Sequence, residues 1–430
     1  GKTIMSKETV DNALKQDCPS IKKIIVFKNS DKEVSFDPNI DLWWHDILPN
    51  SDQVVLPEVM SSEDILFILY TSGSTGKPKG IIHTSAGYLL NCILTNKWVF
   101  DLKKGDIFWC TADIGWITGH SYVVYGPLAT GSTILIYDGA PTYPKQDRFW
   151  EIISQNKVTI FYTAPTAIRT LMKLGENKPD DHDLSSLRLL GTVGEPINPK
   201  AWVWYQKKIG KENCPIVDTW WQTETGANMI APLPGVTHTI PGTCTKALPG
   251  IEIGIIDNNG NEIFSKNEGG NLVIKKPWPS MLRGIWGDKN RYIDTYWKKY
   301  NNKYYVTGDT ARYDEYGNIW IMGRSDDVVN ISGHRLGTME IESAIVSHEF
   351  VAESAVVSYK HEIKGEAIHA FVTLGEKYSK DIGPDVAEEI REWVKDKIGS
   401  IAKPDKISFS TSLPKTRSGK IMRRLLRNIA

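Results

Sequence analysis

The stretch "ILFILYTSGSTGKPKG" (residues 65–80) runs from a short apolar segment straight into four small hydroxyl residues, three glycines and two lysines. A buried strand that ends in such a segment presents backbone amides and hydroxyls at its tip, which is how proteins hold phosphate. The nearest generic pattern is the P-loop, GxxxxGK[ST]. It fails here: two residues rather than four separate Gly73 from Gly76, and Lys77 is followed by Pro78 instead of a hydroxyl. Proline also suits poorly a helix start whose amides must face a phosphate. The expected arrangement is a Gly/Ser/Thr loop between a strand and a helix that starts near Thr84 or Ser85, either of which can cap it. Lys77 and Lys79 supply positive charge. Taken alone, the stretch reads equally well as a solvated surface loop.

Outward from it, apolar runs at Ile65–Tyr70, Thr133–Tyr137, Val158–Tyr162, Leu187–Val193 and Pro215–Asp218 alternate with helix-like stretches at Ala86–Asn96, Arg148–Ser154 and Pro165–Leu174. That alternation predicts an α/β core with largely parallel pairing. Past Val236, glycines and asparagines punctuate short runs, among them "NNGNE" after Asp257 and "DEYGN" before Ile319. Such turns predict an antiparallel sheet or small barrel. After "GRSDD" (323–327) the texture changes again, with helices at Glu340–Ser347 and Val386–Ile398 and strands at Ala352–Tyr359 and Ile368–Thr373. We therefore expect a large part over residues 1–325 and a compact α+β part over 326–430, with the boundary at Asp326.

Composition narrows the function. The chain has 430 residues with 51 basic and 51 acidic side chains, so no global field attracts nucleic acid or an anionic membrane. No run of about 18 apolar residues predicts a membrane span, and the first residues lack a secretory apolar region. The five cysteines (18, 92, 110, 214 and 244) form no CxxC pair or Cys/His cluster. Neither a disulfide framework nor a zinc site is expected, and a reducing, cytoplasmic setting fits best. The start at Gly1 suggests a fragment or an engineered start.

The wording of residues 70–80 resembles the phosphate-binding signature of the adenylate-forming family: acyl-CoA synthetases, peptide-synthetase adenylation domains and luciferases. Further motifs of that family follow in its order: "VGEP" (193–196), "DTWWQTETG" (218–226), "YVTGDTARYDEYGNIWIMGRSDDVVNISGHRLGTMEIE" (305–342) and "PKTRSGKIMRR" (414–424). The resemblance runs from about Val10 to the last residues. It implies the large part of the adenylate-forming fold, layered α/β sheets plus a small barrel-like region, and a mobile C-terminal domain hinged at Asp326. The double tryptophan, "SGHRLGT" and the C-terminal motif are similar to the members that activate acetate. The implied reaction joins acetate to ATP as an acyl-adenylate and then passes the acyl group to coenzyme A, with ATP, Mg²⁺ and coenzyme A required. Propionate or another short acid is the close alternative. A catalytically inactive fragment is the alternative of another class.

The resemblance also assigns residues. Thr71, Ser72, Ser74, Thr75 and Lys77 would contact the polyphosphate and Glu224 would help hold magnesium. Gly194, Glu195, Pro196 and Asp218, Thr219, Trp220, Trp221, Gln222 and Thr223 would meet adenine and the acyl-adenylate. Asp309 would accept from the ribose hydroxyls, as a carboxylate can from two donors, with Arg324 and Arg335 near ribose and phosphate. Ile117, Thr118, Val193 and Trp221 would line a pocket sized for a methyl group. Trp221 closes it, and a size filter of this kind is worth about 1–3 kcal/mol per methylene. Thr118, Ser332 and Lys395 would touch coenzyme A. Lys395 replaces the family's usual arginine, and Thr142 stands where asparagine is common. Val346, His348 and Val351 match a cation site. Lys420 is the expected catalytic lysine of the first half-reaction, a compact ammonium suited to phosphoryl charge. It would also be a target for a lysine acetyltransferase and deacetylase, since acetylation removes that charge. Long N-terminal portions are usual in the acetate-activating members, and one segment there binds the coenzyme A nucleotide, so we expect this chain to lack that portion.

Overall fold

The computed structural model describes residues 5–50, 54–71, 77–175, 177–266, 268–325, 327–331, 334–361, 365–375, 378, 384–415 and 421–430. Backbone contacts divide the chain into two compact units, Gly1–Met60 and Ser61–Ala430. In the first unit, strands β1 (Ile24–Val26) and β2 (Asp41–Trp43) pair in parallel. A helix at Ser6–Leu14 is tied to β2 by Lys7, whose ammonium lies 2.9 Å from Asp41.

The second unit opens on β3 (Ile65–Thr71) and β4 (Lys79–Thr84), an antiparallel pair with Ile68 opposite Ile82 and Thr71 opposite Lys79. The Gly/Ser loop therefore joins two strands, not a strand and a helix, which corrects the expectation above. The physical reason lies in Ile81-Ile82-His83-Thr84, a bulky and partly β-branched run whose Ile81 and His83 are buried, as a paired strand requires. The helix follows at Ser85–Trp98 with Thr84 at its N-cap, yet the Thr84 hydroxyl donates to Glu63 (3.5 Å) rather than capping.

Strands β5 (Ile107–Cys110), β6 (Thr133–Ile134), β7 (Ile160–Thr163), β8 (Leu189–Thr192) and β9 (Ile216–Asp218) form a parallel sheet in the order β6-β5-β7-β8-β9. Successive side chains alternate between its faces. Trp109, Phe161, Leu190 and Ile216 join one core with the helices Arg148–Asn156, Pro165–Leu174 and Pro199–Trp204. Phe108, Ile160, Tyr162, Leu189 and Val217 join another with Tyr88, Cys92 and Tyr122. Both faces are covered, which is why these strands read as continuous apolar runs. β6 is shorter than the sequence run at 133–137.

Strands β10 (Ile253–Ile256), β11 (Gly269–Ile274), β13 (Tyr305–Tyr313) and β14 (Ile319–Arg324) form the expected antiparallel sheet, while β12 (Gly284–Ile285) adds to β4. The "DEYGN" turn is fastened by the Asp314 carboxylate, which accepts from the amides of Tyr316 (2.9 Å) and Asn318 (2.8 Å). Beyond it, β15 (Val328–Ile331), β16 (His334–Gly337), β17 (Val351–His361), β18 (Gly365–Leu374) and β19 (Lys406–Phe409) build one more sheet. Its core includes Val329, Ile341, Ile345, Ile368 and Ile390. Among the described residues no buried cluster mixes residues from either side of 325. No described helix is long and apolar enough to cross a membrane.

Candidate active site

Gly194, Glu195 and Pro196 follow the carboxyl end of β8 and Thr219–Thr223 that of β9, the ends at which open parallel sheets take their ligands, while Thr71, Asp309 and Arg324 lie on β3, β13 and β14. The chain leaves β8 through Gly194, whose φ of +95° is a left-handed conformation that favours glycine. Glu195 then turns to Arg169, which donates to it at 2.9 Å, and also accepts from Thr166. Its burial raises the carboxyl pKa, but Arg169 and Thr166 outweigh that and hold it below the ordinary value. Leaving β9, Asp218 is buried and accepts from Trp202 (2.7 Å) and Thr192. Burial dominates here and pushes its pKa up to about 7 despite both donors.

The next residues make a tight turn. Gln222 and Thr225 cap it reciprocally, side chain to backbone in both directions. The cap is thus filled without Glu224, which is available for other contacts. Gln222 also donates to Asp309 at 2.7 Å and to the Thr307 carbonyl at 2.8 Å. Trp220 donates to the same Asp309 oxygen at 3.1 Å, and Arg324 lies 3.4 Å from the other. Burial raises the Asp309 pKa, with Arg324 and the two donors opposing. So Trp220 and Gln222 orient the carboxylate expected to meet ribose. Gly308, at φ +74°, lets the Arg324 guanidinium pass where a Cβ would stand 2.7 Å from it.

Glu224 meets Lys79 and Tyr296. The Tyr296 hydroxyl donates to Glu224 at 2.5 Å and accepts from the Lys79 ammonium at 2.7 Å, while Lys79 and Glu224 stand 3.4 Å apart. Burial lowers the Lys79 pKa, partly offset by Glu224. Nearby, His83 is hydrogen-bonded to the Thr223 carbonyl at 2.6 Å, and burial pulls its pKa down to about 4. β4 is therefore stitched to the 223–224 turn at both ends. Among the described residues the Thr71 hydroxyl, at the end of β3, is buried without a partner. One carboxylate and an unpartnered hydroxyl are hard oxygen donors, and they fit Mg²⁺, which binds through one or two carboxylates plus phosphate oxygens. Among the described residues no group of three His, Cys, Asp or Glu could hold a metal unaided.

Ile117 and Val193 are buried in one apolar cluster, and Trp221 packs half-buried against it. The indole meets the Tyr122 ring edge-on at 5.0 Å and donates to the Tyr162 hydroxyl at 3.3 Å. Thr118 is half-buried beside Ile117, and Thr142 half-buried in the 137–144 segment.

The exposed Lys77 offers its carbonyl to Arg291. Lys395 is exposed on the helix Pro384–Lys397 and pairs with Glu392 at 2.6 Å. Val346 and Val351 are buried around His348. The His348 ring already accepts from the Phe350 amide (3.3 Å) and faces Glu389 (3.4 Å). Arg335 lies on β16. Ser72, Ser74, Thr75, Asp326, Ser332 and Lys420 lie outside the described residues. Sequence reasoning missed Tyr296, Tyr162, Tyr122, His83 and Arg169. Each meets its partner across a long stretch of chain or from a wide helical turn, and no local pattern signals such contacts.

Residues 2–286 match the family described as AMP-binding enzyme, and residues 340–420 match its C-terminal domain. The chain belongs to this family. Among its relatives, the acetyl-coenzyme A synthetase of Methylobacillus flagellatus is 57% identical over all of this chain, which spans 66% of that protein. The acetyl-coenzyme A synthetases of Chlorobaculum tepidum and Rhodopirellula baltica are 57% and 55% identical, and the chain spans 64% and 63% of their lengths. Among solved structures, the anthranilate CoA ligase AuaEII in complex with anthranoyl-AMP superposes with a TM-score of 0.86 at 26% identity. That match covers 99% of this chain and 76% of the ligase.

Proposed function

We propose that this chain carries the adenylating machinery of an AMP-forming acetate:CoA ligase. The observation that supports it best is Trp221, packed on Tyr122 and bonded to Tyr162 at the edge of the cluster holding Ile117 and Val193. An indole there shortens an acyl pocket, and the named relatives act in the same sense. In the first half-reaction an acetate oxygen bonds to the α-phosphorus of ATP, and the bond from that phosphorus to the bridging oxygen breaks, releasing pyrophosphate. In the second, the coenzyme A sulfur bonds to the acyl carbon and AMP leaves with the carbon–oxygen electron pair.

The chain's own residues bind and orient. Asp309, oriented by Trp220 and Gln222, accepts from ribose. Lys79 and Lys77, with Thr71, Ser72, Ser74 and Thr75, counter the polyphosphate charge, which is most of the work in phosphoryl chemistry. Glu224 and Thr71 would hold Mg²⁺, which neutralises polyphosphate charge when bound. Lys420 serves the first half-reaction, and the 326–430 part turns about Asp326 between halves to bring Ser332 and Lys395 to coenzyme A. Acetylation of Lys420 would switch the first half off. A reducing, cytoplasmic setting fits the dispersed free cysteines.

The test is acetate-dependent exchange between ATP and pyrophosphate, with kcat/KM compared across acetate, propionate and butyrate. Acetate is expected to lead. A higher value for propionate would overturn the acetate reading, and absence of exchange with any short acid would overturn adenylation by this chain.

A further inference from the structure

We propose that Tyr162 is a specificity-determining residue, which sets acyl chain length by locking the side chain of Trp221 through a one-way chain of hydrogen bonds. The inference rests on the reading of Trp221 as the end wall of the acyl pocket. The chain runs from the Trp221 indole to the Tyr162 hydroxyl (3.3 Å), on to the Thr219 hydroxyl (2.6 Å), and ends on the Thr192 carbonyl (2.7 Å).

Its direction follows from the chemistry of its ends. An indole N–H only donates, and a carbonyl oxygen only accepts. The single Thr219 proton therefore goes to Thr192, so its oxygen accepts from Tyr162. The single Tyr162 proton is then committed, and its oxygen accepts from Trp221. No other orientation satisfies all three contacts. Tyr162 is fully buried and Thr219 nearly so, where an unmade hydrogen bond is costly. The indole is thus referred, through two side chains, to the main chain at the end of β8.

A second contact acts from the same side. Tyr122 sits in a π-helical turn, His120–Tyr125, a wide turn that tends to occur at functional positions. Its ring meets the indole edge-on, and its hydroxyl is held by Thr95 (2.9 Å) and the Asn228 amide (2.9 Å). Trp221 itself is only half-buried. Its rotamer is fixed from the buried side, and releasing the Nε1 bond frees the indole to reorient and deepen the pocket. A phenylalanine at 221 would fill some of the space but could not be anchored in this way.

The experiment compares wild type, Tyr162→Phe, Trp221→Phe and the double variant, measuring kcat/KM for acetate, propionate and butyrate alongside thermal melts. One hydrogen bond corresponds to a rise of about threefold to tenfold in the propionate:acetate ratio for Tyr162→Phe. In the Trp221→Phe background the same substitution should change that ratio by less than about twofold, because the bond is already gone. Loss of stability alone would not move the ratio. An unchanged ratio in Tyr162→Phe, or an equal shift in both backgrounds, would overturn the proposal. If Tyr162→Phe does not fold, Thr219→Val removes the acceptor that aims the Tyr162 hydroxyl; the phenol oxygen can still accept from Trp221, so the ratio should rise by less than with Tyr162→Phe, and an unchanged ratio would overturn the proposal. Failure of the functional reading is a separate result: wild type would then show no acetate-dependent exchange at all.

Discussion

Two buried residues close to the Thr219–Thr223 segment titrate in opposite senses. Asp218 has its pKa raised to about 7 by burial, so the folded protein holds a proton there that the unfolded chain has lost. Its contribution to stability is full below the unfolded carboxylate pKa and is lost as pH rises toward 7. His83, lowered to about 4 by burial, contributes above its unfolded pKa and loses that contribution as pH falls toward 4. Between about pH 4 and 6.5 the two slopes, each at most about 1.4 kcal/mol per pH unit, oppose each other. Asp218→Asn mimics the neutral form and keeps an acceptor for Trp202. It should therefore expose the His83 slope, so that stability relative to wild type falls as the solution is acidified from pH 6.5 to 4. Urea midpoints at half-unit intervals check this, and parallel curves for the two proteins would refute it. Neither residue's state was legible in the sequence. "DTWW" predicts a site, but only the fold reveals that Asp218 faces Thr192 and Trp202.

At the scale of elements, the helix Ser85–Trp98 braces the turn that carries Glu224. A Cβ on Gly87 would stand 2.1 Å from the Pro279 carbonyl oxygen. The segment it would strike holds the turn through Trp278 (3.0 Å) and Ser280 (2.5 Å) to the Thr225 carbonyl, and through the Leu282 amide to the Glu224 carbonyl (3.0 Å). Helix propensity favours alanine over glycine by about 1 kcal/mol. Overpacking against main chain costs about 1–3 kcal/mol and cannot be relieved by a rotamer. Gly87→Ala should therefore destabilise the protein and weaken ATP binding, measured by urea unfolding and KM for ATP; a stabilised variant with unaltered KM would show that the brace is slack. The parallel strands were readable because burial on both faces leaves uninterrupted apolar runs, as in Ile160–Thr163 and Leu189–Thr192. β4 escaped notice because its first residues, Lys79 and Gly80, read as part of the loop, and its pairing with β3 depends on a register that only the folded hairpin defines. The sequence singled out Trp221 by its motif, whereas the tyrosines that touch it come from strands and turns that sequence spacing does not relate.

For the whole molecule, the proposed function raises the question of how Lys420 would reach a nucleotide held by residues 71–324. Among the described residues the cores on the two sides of residue 325 share no buried cluster, and the proposed turn about Asp326 would need none to be broken. The C-terminal segment is tied firmly to its own side. Lys415 pairs with Glu353 at 2.8 Å and bridges to Ile421, and the Arg423 guanidinium grips both oxygens of the buried Glu342 (2.9 and 2.8 Å). Ile421 lines the same small crevice as Glu195 and Pro196 of the nucleotide motif. Ile421 thus borders Glu195 and Pro196, while Lys395 lies on an exposed helix face. A lysine needed only when the first half is assembled should matter for that half alone. Lys420→Ala is expected to slow acetate-dependent ATP–pyrophosphate exchange by about 10²–10³-fold, the usual cost of removing one donor from developing charge. Thioester formation from supplied acetyl-adenylate should stay within about threefold of wild type. Single-turnover measurements of each half decide the matter. Equal losses in both halves would mean that Lys420 acts in a fixed site and that no rearrangement of the 326–430 part separates the two reactions.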